Sequence, residues 1–172
     1  TQMRTHFKIP RGMLDEIRAD LSRPHSFAYE RVGFVTCKVG KFDGEGWIIL
    51  AANYHPVEDE DYVKDESVGA MIGSAAIRKM MQRAYDEPYS VVHVHMHEHS
   101  GRPSPSATDA REMAKLIPNF WNVRRNFPHA AVILSFDSMS GTVWDPSSKS
   151  RFAIDDFTVV GAPMQFIRTE HG

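Results

Sequence analysis

The apolar positions change period along the chain, and those changes lay out its elements. Met13, Leu14, Ile17 and Leu21 recur at helical spacing across Gly12–Ser22, and Pro24 ends the pattern, so an amphipathic helix follows an irregular start. SFAYERVGFVTCKVG (26–40) and EGWIILAANYHPV (45–57) are β-branched and aromatic, and the polar KFDGEG where they meet predicts a hairpin. The second run is nearly all apolar, which suits a central strand. Gly73 and Ser74 open a second helix with Ile77, Met80, Met81, Ala84 and Tyr85 as its stripe, and Pro88 closes it. PYSVVHVHMHEH (88–99) reads as a strand, and SATDAREMAKLI (106–117) as a helix turning Ala110, Met113, Ala114 and Ile117 inward. AAVILSFDS and GTVWDP form a second hairpin, and DFTVVGAPMQFI (156–167) is a last strand. Helices and strands intermix with no repeat or linker, so the expected class is α/β (α+β): one domain, residues 1–172, with a mixed β-sheet flanked by helices.

Length agrees with one domain, since 172 residues that are 42% hydrophobic suffice for a single core. A net charge of −2 gives no basic footprint of a nucleic-acid binder, and no apolar run reaches membrane-spanning length. Only Cys37 is available for sulfur chemistry and the N-terminus lacks the apolar core of a secretory signal, so a reducing cytoplasm is the expected compartment. The charged run EDEDYVKDE (58–66) reads as a solvated loop, with a docking surface for a basic partner as the other reading. Trp47, Trp121 and Trp144 sit at element ends, where large aromatics commonly serve as core or rim packing.

Candidate chemistry concentrates in VVHVHMHEHSGRPSPSATD (91–109). Four of the chain's nine histidines, His93, His95, His97 and His99, occupy alternate positions there. Alternation on a strand puts them on one face with Cα atoms about 6.5 to 7 Å apart, close enough for neighbours to converge on one ion. Protonated neighbours on that face would repel, and a metal removes the conflict; a proton-sensing cluster is the competing reading. Ser106 followed three residues later by Asp109 is a helix N-cap signature, which places Asp109 in a first turn where the dipole favours its ionised form. Two histidines and one carboxylate make a catalytic type of zinc site, with the fourth position left for water. A hydrolytic site also needs a proton carrier. Glu30, a carboxylate in an otherwise apolar run, is either that group or an edge residue facing solvent, and Gly33 permits close backbone approach beside it.

The acid in E30-R-V-G33-F34-V35, followed downstream by a His-x-His strand end and a Ser-x-x-Asp, resembles the JAMM (JAB/MPN) zinc metalloproteases. The likeness covers roughly residues 27 to 145 in element order, and SGRPSPSATD is similar to a loop of the RadC branch of that fold. The resemblance implies a single zinc ion per chain held by Asp109 and two histidines, Glu30 as general acid/base, and Ser106 as a hydrogen-bond donor to the oxyanion. It implies cleavage of a peptide or isopeptide bond after the C-terminal tail of a ubiquitin-like protein, in precursor maturation or deconjugation. The extended histidine row is similar to compact prokaryotic members found beside ubiquitin-like, E1-like and E2-like proteins, some in anti-phage systems. The pattern departs from the family at one point: the expected spacing from Ser106 would put the second histidine at 98, which is Glu98. The ligand pair is therefore His95 and His97 with a longer loop, which a flexible segment accommodates more easily, or His97 and His99 with a shorter one. The rival readings are a JAMM hydrolase for a sulfur-carrier precursor or small amide, and a catalytically silent MPN interaction module.

Overall fold

Val91–Met96 lies at the heart of the molecule because two sets of side chains need two different covers. Val92, Val94 and Met96 join one apolar cluster, while Val91 joins a second cluster on the opposite face, the face that His93 and His95 share by alternation. A strand buried on both faces needs helices on both sides. The computed structural model describes residues 4–26, 28–42, 46–64 and 71–170, and supplies them.

Among the described residues, nine strands form one mixed sheet. In chain order they are β1 (Thr5–Pro10), β2 (Val32–Phe42), β3 (Gly46–Pro56), β4 (Ser90–Met96), β5 (His129–Leu134), β6 (Met139–Trp144), β7 (Arg151–Ala153), β8 (Asp156–Val160) and β9 (Gln165–Arg168), and across the sheet they run β7-β6-β5-β4-β2-β3-β1-β8-β9. The helices are α1 (Arg11–Leu21), α2 (Ser74–Asp86) and α3 (Ala107–Val123). Leu14, Ile17 and Leu21 of α1 pack with Val92, Val94, Val132 and Leu134 on one face. Met80 and Ala84 of α2, with Met113, Ile117 and Phe120 of α3, cover Val32, Phe34 and Ala131 on the other. The mixed sheet flanked by helices expected from the periodicity is present. Among the described residues, no helix is long and apolar enough to cross a membrane.

Several local expectations need correction. The start is not irregular: Thr5, Phe7 and Ile9 are buried alternately along β1, which pairs in parallel with both β3 and β8. The strand through the histidines ends at Met96, because β2 begins at Val32 opposite His95 and β5 ends at Leu134 opposite Met96, so neither neighbour continues. Glu30 precedes β2 instead of lying within it. In α2 the buried stripe is Ala76, Met80 and Ala84, and Tyr85 is exposed; in α3 Ala114 is exposed, while Leu116 and Phe120 are buried. That helix continues through Pro118, whose missing N–H would have bonded the carbonyl of solvent-facing Ala114. The last strand is a hairpin, β8 with β9, broken at Gly161, where an added Cβ would lie 2.6 Å from Arg11 Cβ.

The acidic run is not simply solvated. Asp59–Asp61 forms a 3₁₀ turn in which Asp59 bonds Arg31 at 2.7 Å and Asp61 bonds Lys79 at 2.6 Å, and Tyr62 just after it is buried. Its residues 65 and 66 lie outside the described residues, as do residues 43–45 of the first hairpin's turn.

Candidate metal centre

The centre forms where β4 runs out beneath the start of α3. Ring centroids along the row stand 5.7 Å apart from His93 to His95, 5.0 Å from His95 to His97, and 6.0 Å from His97 to His99, so the four imidazoles remain neighbours beyond the strand. Their surroundings differ. His93 is buried with its ring edge-on to Phe34 at 5.5 Å, and burial pushes its pKa down to about 3, so the imidazole is neutral. His95 is buried, His97 is half-buried with its backbone N–H donating to the Leu134 carbonyl at 2.8 Å, and His99 is exposed with Nδ1 2.9 Å from the Ser100 carbonyl oxygen.

Asp109 comes to the same place from α3. Ser106 caps that helix: its hydroxyl accepts from the Asp109 backbone N–H at 3.0 Å, and the Asp109 carboxylate accepts from the Ser106 backbone N–H at 2.8 Å. This reciprocal box fixes the carboxylate beside the positive end of the helix. The serine O–H remains a donor, because accepting a bond occupies only a lone pair. Burial works against the charge of Asp109, but the hydrogen bond to His95, the charge of that ring and the Ser106 amide prevail, holding the carboxyl well below its usual range.

The three ligand atoms form a nearly equilateral triangle. His95 Nε2 to His97 Nε2 is 3.2 Å, His95 Nε2 to Asp109 Oδ2 is 3.4 Å, and His97 Nε2 to Asp109 Oδ2 is 3.5 Å. Ligand atoms at roughly 2.0 to 2.1 Å from a tetrahedral zinc ion stand about 3.3 to 3.4 Å apart, so the donor set fits such an ion in both chemistry and size. Glu30 completes the group: with His95, His97 and Asp109 it offers ligand atoms that all lie within 4.8 Å of one another. His99, the member of the other register, is not in that group.

Glu30 reaches this position through a clamp. Arg31 is only 4% exposed, and its guanidinium donates to the Arg23 carbonyl at 2.8 Å, the Pro24 carbonyl at 2.7 Å and Asp59 at 2.7 Å. The Tyr62 hydroxyl accepts from Val32 N–H at 2.8 Å and donates to Val32 C=O at 3.1 Å. Since Val32 pairs with His95, the clamp brings the residues before Val32 level with His97. Gly33 is packed under Tyr54, whose hydroxyl oxygen would lie 2.4 Å from an added Cβ, so the close approach anticipated there is made by an aromatic ring.

Sequence reasoning missed Arg31, Asp59 and Tyr62. A charge in an apolar run, the signal that singled out Glu30, applies equally to Arg31. Trp144 also acquires a position of interest, since it lines a cleft of about 290 Å³ that His95 and Asp109 border. Trp47 and Trp121 fit the packing expectation, with their indole N–H groups bonded to Asp145 at 3.3 Å and the Phe127 carbonyl at 3.1 Å.

No known family's sequence model matches the chain, and no curated protein matches it. Solved structures with a similar backbone include the Trichoplax adhaerens STIL N-terminal domain, at 9% identity and a TM-score of 0.43 over 78% of this chain. The likeness spans 40% of that structure's chain.

Proposed function

We propose that the chain is a zinc-dependent hydrolase of the JAMM type, cleaving a peptide or isopeptide bond after the C-terminal tail of a ubiquitin-like protein. The triangle of His95, His97 and Asp109 with Glu30 beside it carries this reading. Three protein ligands with one position open is the catalytic arrangement of zinc, and a structural site would be closed by a fourth. Held by His95, His97 and Asp109, zinc would supply Lewis acidity that polarises a carbonyl and lowers the pKa of water to about 7.

The protein's own groups divide the remaining work. Glu30 stands outside the triangle but within reach of it, where a carboxylate accepts the proton lost by the attacking water and passes it to the leaving amine. Ser106 presents its O–H at the N-terminus of α3, where hydrogen-bond donation and the helix dipole both favour the oxygen that gains charge. Asp109 stays ionised across the physiological range, and neutral His93 closes the inner end of the row without adding charge. The ubiquitin-like substrate, the E1-like and E2-like partners and a role in a prokaryotic, anti-phage conjugation system rest on the motif resemblance.

The test is elemental analysis and fusion cleavage on the same preparations. Wild-type protein purified without chelator should carry about one zinc per chain and release a ubiquitin-like protein from a C-terminal fusion. Protein that binds no zinc even when zinc is supplied would end this reading.

A further inference from the structure

The cleft beside the centre has a composition that a glycine tail does not need. It opens on the side of His95 away from Glu30, since Val32 of β2 flanks His95 on one side and Ile133 of β5 on the other, and Ile133 lines the cleft. Met113, Ala131, Ile133 and Trp144 are among its walls, and its volume is about 290 Å³. Ligand pockets run from roughly 300 to 1,000 Å³. A space just below that range holds one large side chain and its flanking backbone, and is much too roomy for glycine alone.

Its charge is one-sided. Arg102 and Arg151 are the exposed charged residues of the lining, and Asp109, already engaged by His95 and Ser106, is the only carboxylate among the described lining residues. Arg102 makes one long contact, 3.5 Å to the Glu170 carbonyl, and the Arg151 guanidinium has no hydrogen-bond or ion-pair partner among the described residues. Guanidinium groups with donors to spare select carboxylates, by fork geometry as well as charge. In a chain with a net charge of −2, two cations on one small cleft are a local feature and not a general bias.

We propose that this cleft is a specificity pocket that seats one large apolar side chain of the substrate, of phenylalanine or leucine size, with an adjacent substrate carboxylate held by Arg102 and Arg151. The pocket's place next to the cleaved bond rests on the hydrolase reading above; the ligand chemistry rests on the cleft itself. A substrate ending in glycines at every subsite would leave the half-buried Trp144 in contact with water.

Calorimetric binding to the zinc-loaded Glu30→Gln protein tests the proposal without requiring turnover. The probes are three blocked peptides, Ac-Ala-Phe-Asp-Ala-amide, Ac-Ala-Phe-Lys-Ala-amide and Ac-Ala-Gly-Gly-Ala-amide. The Phe-Asp peptide should bind at least about tenfold more tightly than the Gly-Gly peptide, a 1.4 kcal/mol difference. Adding Arg102→Glu and Arg151→Glu should reverse the preference for Asp over Lys, and Ala153→Trp, which fills the cleft from its rim, should abolish the preference for Phe. Equal or undetectable binding of the three peptides would overturn the proposal, as would an Asp preference that survives the charge reversal. Zinc content and fusion cleavage by the wild type keep the two readings apart. Cleavage without peptide discrimination removes the pocket and leaves the hydrolase; discrimination in a protein without zinc does the reverse.

Discussion

Two aspartates are drawn into this molecule, and they are held in opposite ways. Asp156, 1% exposed, is ringed by permanent or potential cations: Arg4 at 3.0 Å, His6 at 3.1 Å and Arg168 at 3.3 Å. Its charge is balanced by the chain itself. Asp109 faces two imidazoles and lies close to a second carboxylate, Glu30, with no arginine or lysine ion-paired to it among the described residues. Its charge is held by the hydrogen bonds from His95 and Ser106 and not by a permanent cation. The difference separates a fastening from a site: one cluster is complete as folded, and the other has its charge arranged for something positive to arrive.

The sharpest way to break that contrast is to remove each aspartate in turn. Asp109→Ala should drop zinc from about one per chain to near none, while Asp156→Ala should leave it unchanged, both by elemental analysis. His95→Ala should follow Asp109→Ala and His99→Ala should follow the wild type; equal retention by the two histidine variants would erase the distinction between a ligand and a bystander. Next in size, Glu30→Gln should keep zinc and lower kcat/KM on a ubiquitin-like fusion by roughly 10²- to 10⁴-fold. In urea unfolding of metal-free protein the order inverts. Asp156→Ala should cost about 2 kcal/mol through lost charged hydrogen bonds, and Asp109→Ala about 1 kcal/mol through the lost cap. Saturating zinc should then stabilise the wild type and Asp156→Ala but not Asp109→Ala.

A separate effect concerns acid. His129 is fully buried, with Nδ1 accepting from Val91 N–H and Nε2 directed at the Arg124 carbonyl, and burial pushes its pKa down to about 4. Between pH 6.5, its ordinary value, and about 4, the unfolded chain takes up a proton that the folded one refuses, so stability falls as the pH falls through that window. The slope from this group is at most about 1.4 kcal/mol per pH unit. His129→Phe should flatten it in the presence or absence of chelator, marking the acid sensitivity that belongs to packing and not to the histidine row.

Legibility in the sequence followed distance along the chain. His95, His97, Ser106 and Asp109 fall within fifteen residues, so strand alternation and a capping signature were enough to place them on facing elements. Glu30 stood out as a carboxylate in an apolar run, but its place beside the histidines came only with the family-like pattern, because its approach to His97 depends on β2 pairing with β4 across some sixty intervening residues. Arg31 carried the same local signal as Glu30, a charge in an apolar run, but its partners Asp59 and Tyr62 are ordinary locally, and the clamp exists only once a 3₁₀ turn folds back on the start of β2. The same holds for β1. Its alternation is short and follows no turn signal, and its burial comes from parallel neighbours, one of which lies about 150 residues downstream.

The capping box at Ser106 makes the proposed metal centre a reporter on the backbone. The Asp109 oxygen that faces His95 and His97 is also the one that accepts the Ser106 amide proton. A ligand tied in this way has already lost its rotamer freedom during folding, so an incoming ion is spared that ordering entropy. Any loosening of the ion must in turn be felt by a single amide. Hydrogen exchange at the Ser106 N–H would therefore slow on zinc loading and quicken on chelation, giving a residue-resolved measure of occupancy that needs neither substrate nor spectroscopically active metal.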